Sequence, residues 1–166
     1  MIKILFVCHG NICRSTMAEF LFKYEISKLG LEKDFYVESA GTSSEEIGNP
    51  VHYGTRRILD RFKIDYSLKR ARQIEKRDYE KFDYIIGMDE YNLRNLIRFF
   101  KNDYKHKISL LLDYTSFPRD VDDPWYSGDF EQTYLDIIQG INGLLDKLNV
   151  RKGSIKSDGV LWGRQK

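Results

Sequence analysis

Two cysteines and an arginine share one short stretch, Cys8-His9-Gly10-Asn11-Ile12-Cys13-Arg14-Ser15. A thiol followed six positions later by a guanidinium, with a glycine between them and a hydroxyl after, suits attack on a phosphate group. Arg14 offers a planar fork of donors that grips two phosphate oxygens and stays charged at working pH. Cys8 supplies the nucleophile, and the positive field that attracts a dianion also favours its ionised form. The plainer reading, a small apolar side chain at a strand end, explains a lone cysteine but not this spacing. A second candidate lies far along the chain at Asp122-Asp123-Pro124-Trp125-Tyr126. A carboxylic acid there would protonate a leaving oxygen and then take a proton from water. Taken alone, Asp-Asp-Pro reads sooner as a surface turn.

Such residues need a frame that opens the loop to an anion. Residues 2 to 7 are apolar at nearly every position, as in a strand buried on both faces of a parallel sheet. From Ser15 to Leu29, the residues Met17, Phe20, Leu21, Tyr24 and Leu29 fall at helical spacing. Thr16 and Glu19 would form a capping box and Gly30 a stop. The Cys8 loop therefore sits between a strand and a helix N-terminus, where backbone N–H groups and the helix dipole favour phosphate. Gly10 supplies backbone freedom there. Further strands are predicted at Phe35 to Ser39, Tyr84 to Met88 and Lys107 to Asp113. Helices are predicted at Val51 to Phe62, Glu90 to Phe100 and about Phe130 to Leu148. The alternation implies an α/β fold: one domain, a four-stranded parallel sheet with helices on both faces, and a Rossmann-like three-layer sandwich. Its ligand site is expected beyond the carboxyl ends of the strands.

The chain has 166 residues, 42% of them hydrophobic, enough for one core and no more than one domain by default. That domain is expected over 1–148. From 149 to 166, Arg151, Lys152, Lys156, Arg164 and Lys166 stand against Asp158, so this tail carries +4 and the remainder −2 of the net +2. It is expected to be a flexible, solvated end. The near balance elsewhere gives no argument for nucleic acid or an acidic membrane surface as partner. No apolar run is long enough for a membrane span, and a soluble, cytoplasmic protein is expected. In a reducing compartment, two cysteines five positions apart read as reactive thiols rather than a structural staple. His9, His52 and His106 show no spacing with the cysteines that suggests a metal site, and no cofactor is expected.

The loop from Cys8 to Ser15 and the segment Val121 to Tyr126 resemble the phosphate loop and the distal acid loop of the low-molecular-weight protein tyrosine phosphatases. Ser39-Ala40-Gly41-Thr42, Gly48-Asn49-Pro50, Ala71-Arg72-Gln73, Phe82-Asp83-Tyr84-Ile85 and Met88-Asp89-Glu90 extend the resemblance over residues 2 to 148. It implies a phosphotyrosine protein phosphatase I-like fold. It also implies hydrolysis of phosphotyrosine in proteins through a cysteinyl phosphate, without a metal. Cys8 would be the nucleophile, Arg14 the phosphate clamp and Asp123, directly before Pro124, the general acid and base. His9, Gly10, Asn11, Ile12, Cys13, Arg14 and Ser15 would form the phosphate-binding loop, supported by Asn11, Ser15 and Ser39. His9, Glu45, Trp125 and Tyr126 would line the substrate cleft. Cys13 would protect the nucleophile by a disulfide, and inorganic phosphate or other oxyanions would inhibit. The chain departs from the family pattern at Glu45, where an aromatic is common, at Lys69, where a histidine is often found, and at Thr16, which replaces a proline. Glu45 and Glu46 are expected to disfavour acidic sequences around the target tyrosine. The alternatives are a protein-arginine phosphatase, a related type that lacks the Trp-Tyr pair, and a non-hydrolytic phosphocarrier or phosphopeptide-binding module.

Overall fold

The computed structural model describes residues 1–150, so the expected flexible tail, 149–166, lies outside the described residues beyond its first two. The central strand β1 (Ile2–Cys8) is buried along its last five positions. Successive side chains of a strand point to opposite faces. Ile4, Phe6 and Cys8 therefore enter one core layer while Leu5 and Val7 enter another. The first layer is closed by α1 (Arg14–Lys28), α2 (Tyr53–Asp60) and α6 (Phe130–Lys147), through Met17, Leu21, Phe22, Leu59, Ile137 and Leu144. The second is closed by α3 (Asp78–Lys81) and α4 (Glu90–Phe100), through Tyr79 and Leu96. Apolar residues at every position of β1 except Lys3 are what a strand covered on both faces requires.

Four parallel strands run in the order β2 (Phe35–Gly41), β1, β3 (Tyr84–Gly87), β4 (Ile108–Leu110). The chain goes from β1 to one side and then crosses to the other, so the order reverses between β1 and β3. A crevice opens at the carboxyl ends of strands at such a point. Cys8, paired in register with Gly41, ends β1 there, and Gly87 ends β3 beside it.

Local chemistry moves several boundaries. α1 begins at Arg14 with no side-chain cap. Thr16 is already inside the helix and donates back to Ile12 O and Cys13 O, both at 2.9 Å. Glu19 is buried and committed to Ser39 and Lys23, so the expected capping box does not form. The stop does: Gly30 adopts φ 71°, and Leu31 N bonds to Ile26 O across it. The fourth strand ends at Leu110 because the Asp113 carboxylate accepts from Leu110 N at 2.9 Å and turns residues 111–114 into a 3-10 helix. α2 starts two residues later than expected, since His52 stays extended and its Nδ1 accepts from Gly54 N. The short helices α3 and α5 (Pro124–Ser127) carry no periodic signal and went unforeseen.

Candidate active site

The loop after β1 is organised by Asn11. This residue adopts the left-handed conformation, φ 60°, whereas Gly10, expected to supply the loop's backbone freedom, has no positive φ. Asn tolerates that region better than most residues, and the turn sends its amide inward. Nδ2 donates to Ser15 Oγ at 2.8 Å and to Ser39 Oγ at 2.9 Å, while Oδ1 accepts from Arg72 N at 3.0 Å. Proton directions follow from these contacts. Ser39 Oγ accepts from Asn11 and donates its own proton to Glu19 Oε1 at 2.6 Å. Ser15 Oγ also accepts from Asn11, which leaves its one proton for Cys8 Sγ, 3.0 Å away. A hydroxyl aimed at the sulfur stabilises negative charge on it. The glycine this loop depends on is Gly41: a Cβ there would lie 2.7 Å from His9 O and 3.2 Å from the carbonyl carbon of Gly10.

Arg14, though charged, is only 2% exposed. Nη1 donates to Asp89 Oδ2 at 2.7 Å and to Val121 O at 2.8 Å, and Nη2 donates to Asp123 Oδ2 at 3.3 Å. Burial opposes its charge, but Cys8, Asp89 and Asp123 outweigh that and hold its pKa above the ordinary guanidinium value. Asp123 arrives from a segment 109 residues away. Its Oδ1 accepts from Trp125 N at 3.0 Å as the N-cap of α5, with Pro124 at the first helical position. The same capping bond that builds the short helix fixes this carboxylate over the loop.

Cys8, Arg14 and Asp123 line a cavity of about 120 Å³ that also touches His9, Gly10, Ile12, Cys13, Glu45, Glu46, Trp125 and Tyr126. A family model for the low molecular weight phosphotyrosine protein phosphatases matches residues 3–154. The chain belongs to this family. The phosphatase is 44% identical to the low molecular weight protein-tyrosine-phosphatase YfkJ of Bacillus subtilis, over 92% of this chain and 99% of that one. It is 40% identical to the low molecular weight phosphotyrosine protein phosphatase of Homo sapiens, over 87% and 94% of the two chains. The crystal structure of YfkJ matches the fold with a TM-score of 0.87 at 42% identity, covering 92% of this chain and 97% of that one. That of a drosophila arginine phosphatase matches with a TM-score of 0.81 at 31% identity, covering 89% and 98%.

The phosphatase brings together each cleft residue that the sequence singled out. Trp125 and Tyr126 are well exposed at the rim. Glu45 stands opposite, with its Oε2 3.2 Å from His9 Nε2. Asp122 is exposed and does not line the cavity. The two cysteines are both free thiols and both buried. Burial, with help from Cys8 and Asp123, pushes the Cys13 thiol far up, so Cys13 stays protonated and is no rival nucleophile. Among the described residues, no group of three or more His, Cys, Asp or Glu side chains is placed to hold a metal ion. None of their helices is long and apolar enough to cross a membrane.

Residues the sequence did not assign complete the support of the phosphatase site. Asp89, noted only as part of Met88-Asp89-Glu90, binds the buried guanidinium. Arg72 forks onto Asp78 at 3.0 and 3.2 Å and reaches Glu38 at 3.1 Å, fixing the backbone N–H that holds Asn11. Lys69 is not a gap in the network. Its Nζ donates to Ser39 O at 2.8 Å and lies 3.6 Å from Glu19 Oε1. Only the residue type departs from the family pattern.

Proposed function

We propose that this phosphatase hydrolyses phosphotyrosine in proteins in two displacements at phosphorus. In the first, Cys8 Sγ forms a bond to phosphorus as the bond to the tyrosyl oxygen breaks, and Asp123 gives that oxygen its proton. In the second, water attacks the cysteinyl phosphate, the Asp123 carboxylate takes a proton from it, and the sulfur leaves with inorganic phosphate released. The Ser15 hydroxyl eases departure of the sulfur. Arg14 and the N–H groups of the loop hold the phosphoryl oxygens, the main demand of this chemistry.

The observation that carries the reading is convergence. Cys8, Arg14 and Asp123 line one cavity, with Ser15 3.0 Å from the sulfur and Asp123 3.3 Å from the guanidinium. Trp125 and Tyr126 add flat faces at the rim for a phenyl ring. Product phosphate and other tetrahedral oxyanions would compete for the same clamp. The need for a free Cys8 thiol suits a reducing compartment, the cytoplasm.

Turnover of an aryl phosphate without added metal tests the scheme. Cys8→Ser is expected to abolish it. Asp123→Ala is expected to lower turnover of phosphotyrosine by about 10² to 10⁴, with a smaller loss for an ester whose leaving group needs no proton. Asp122→Ala should change little, and equal losses in the two variants would overturn the assignment. The arginine reading has the 31% identical drosophila relative in its favour. Faster turnover of phosphoarginine than phosphotyrosine in matched peptides would select it.

A further inference from the structure

Next to the catalytic cavity lies a larger one of about 480 Å³, between residues 42–43, residues 74–76 and α4. The two meet at His9, which lines both. They share a frame as well. Thr42 N bonds to Cys8 O at 2.9 Å and Ser43 N to His9 O at 3.1 Å, so the wall of the second cavity is pinned to the loop that builds the first. The His9 and Tyr91 rings, with centroids 6.4 Å apart, form the sill between them.

The charge of this second cavity is one-sided. Lys76 and Arg98 line it, and no carboxylate does. Lys76 Nζ donates to Phe99 O and lies 4.1 Å from the centre of the Phe99 ring. Arg98 Nη1 donates to Asn95 Oδ1 at 2.9 Å. Neither cation has a carboxylate partner among the described residues. The remaining surroundings of the catalytic cavity contrast with this. The lip formed by Glu45 and Glu46 is acidic, and the groove beyond Trp125 sets Asp129 and Glu131 against Arg57 and Arg61, with Arg61 forked onto Glu131 at 2.6 and 3.1 Å.

We propose that the Lys76–Arg98 cavity is an accessory subsite that takes the carboxylate of an acidic residue flanking the phosphotyrosine of the protein substrate. The proposal rests on the phosphatase reading above. Lys76 and Arg98 supply the opposite charge and the guanidinium fork, and continuity through His9 places the subsite within reach of the same polypeptide. An extended chain advances roughly 3.3–3.6 Å per residue, so the acidic residue belongs about one to three positions from the phosphotyrosine. It also belongs on one side only, because Glu45 and Glu46 repel it elsewhere. The general bias against acidic sequences expected from those two glutamates thus becomes directional.

The test is a positional scan of phosphotyrosine peptides carrying one Glu or one Gln, read as kcat/KM beside p-nitrophenyl phosphate. Glu should exceed Gln by roughly three- to fivefold at one or two neighbouring positions, the range an exposed ion pair supplies, and high salt should erase the difference. Arg98→Glu should transfer the preference to Lys at that position, and Lys76→Met with Arg98→Gln should abolish it. Turnover of p-nitrophenyl phosphate should be unchanged in all variants, which confirms an intact fold. Equal turnover of the Glu and Gln peptides, or a preference that survives in the double variant, would overturn the subsite while leaving the phosphatase reading standing. Failure of the unaltered protein on both phosphotyrosine and p-nitrophenyl phosphate would instead overturn both.

Discussion

Arg14 Nη1 donates to Asp89 Oδ2 at 2.7 Å, and the other oxygen of that carboxylate accepts from Asn92 N at 2.8 Å. One acid thus ties the phosphate clamp to the N-terminus of α4, and the Asn92 side chain closes the capping box from the other side. The clamp emerges from β1 and its anchor from β3, the two strands between which the sheet order reverses. A buried guanidinium with four rotatable side-chain bonds is thereby held in one orientation by the sheet itself.

Asp89→Ala is expected to cost about 1 kcal/mol of stability through the lost cap. It should also lower kcat/KM on an aryl phosphate by about 10- to 100-fold, because the clamp loses its aim. Asp89→Asn keeps a good cap but not the charge. It should restore only part of the urea midpoint, since the buried guanidinium still lacks its partner charge, and leave most of the kinetic defect; full recovery of both would mean that the carboxylate charge does not matter to Arg14.

Much of this arrangement was legible in the sequence because the informative residues are local. Cys8, Gly10, Arg14 and Ser15 fall within eight positions, and the alternating apolar segments fixed their place at a strand-to-helix junction. Asp123 was legible only because Pro124 and Trp125 mark a recognisable neighbourhood. Asp89, Val121 and Arg72 were not, since their roles arise from contacts 61 to 107 residues apart in the chain. The role of Lys69 was not legible for a related reason. Type alone said that a histidine was missing, whereas the long Lys69 side chain reaches the Ser39 carbonyl by another path. The boundary errors at Thr16 and Asp113 have one cause. Side chains with several possible backbone partners choose among them by tertiary position, and Thr16 and Asp113 each chose a nearby backbone group that propensity does not rank.

Gly41→Ala tests how closely the loop is packed on β2. The added methyl would meet backbone atoms, the His9 oxygen at 2.7 Å and the Gly10 carbon at 3.2 Å, which cannot rotate away as a side chain would. Overpacking of this kind costs typically about 1–3 kcal/mol. Thermal unfolding should report that loss, and turnover should fall with it because the displaced atoms belong to the phosphate loop. An active variant with wild-type stability would show that β2 and the loop are free to separate.

Lys69 makes stability depend on alkaline pH. Burial lowers its pKa in the fold, and Glu19 and Glu38 offset this only in part. Below that lowered value both folded and unfolded chains hold the proton, and the fold carries the burial penalty. As pH rises from there towards 10.5, the ordinary value for Lys, the folded protein releases the proton first. The unfolded state then binds more protons, and stability rises with pH. Relative to Lys69→Met, the unaltered protein should therefore gain in urea midpoint as the pH rises towards 10.5. Parallel curves for the two proteins would show that the charge of Lys69 is not felt by the fold.

The two thiols of the loop, both buried, should separate in chemistry by their neighbours, since the Ser15 hydroxyl lies 3.0 Å from Cys8 Sγ. Burial keeps Cys13 protonated, and a protonated thiol is a poor nucleophile. Iodoacetamide at neutral pH should therefore modify Cys8 alone, with activity lost in step with one equivalent of label and with inorganic phosphate protecting. Cys13 should label only on unfolding. Peroxide should act on Cys8 first, leaving a sulfenic acid; the Cys8 charge that helped hold Cys13 protonated is then gone, and Cys13 condenses with the sulfenic acid, releasing water and forming a disulfide. Activity should then return with dithiothreitol, whereas Cys13→Ser should pass on to sulfinic acid and stay inactive. Equal recovery of the two proteins, or no Cys8–Cys13 crosslink on mass mapping, would remove the protective role and leave Cys13 as a packed side chain beneath the nucleophile.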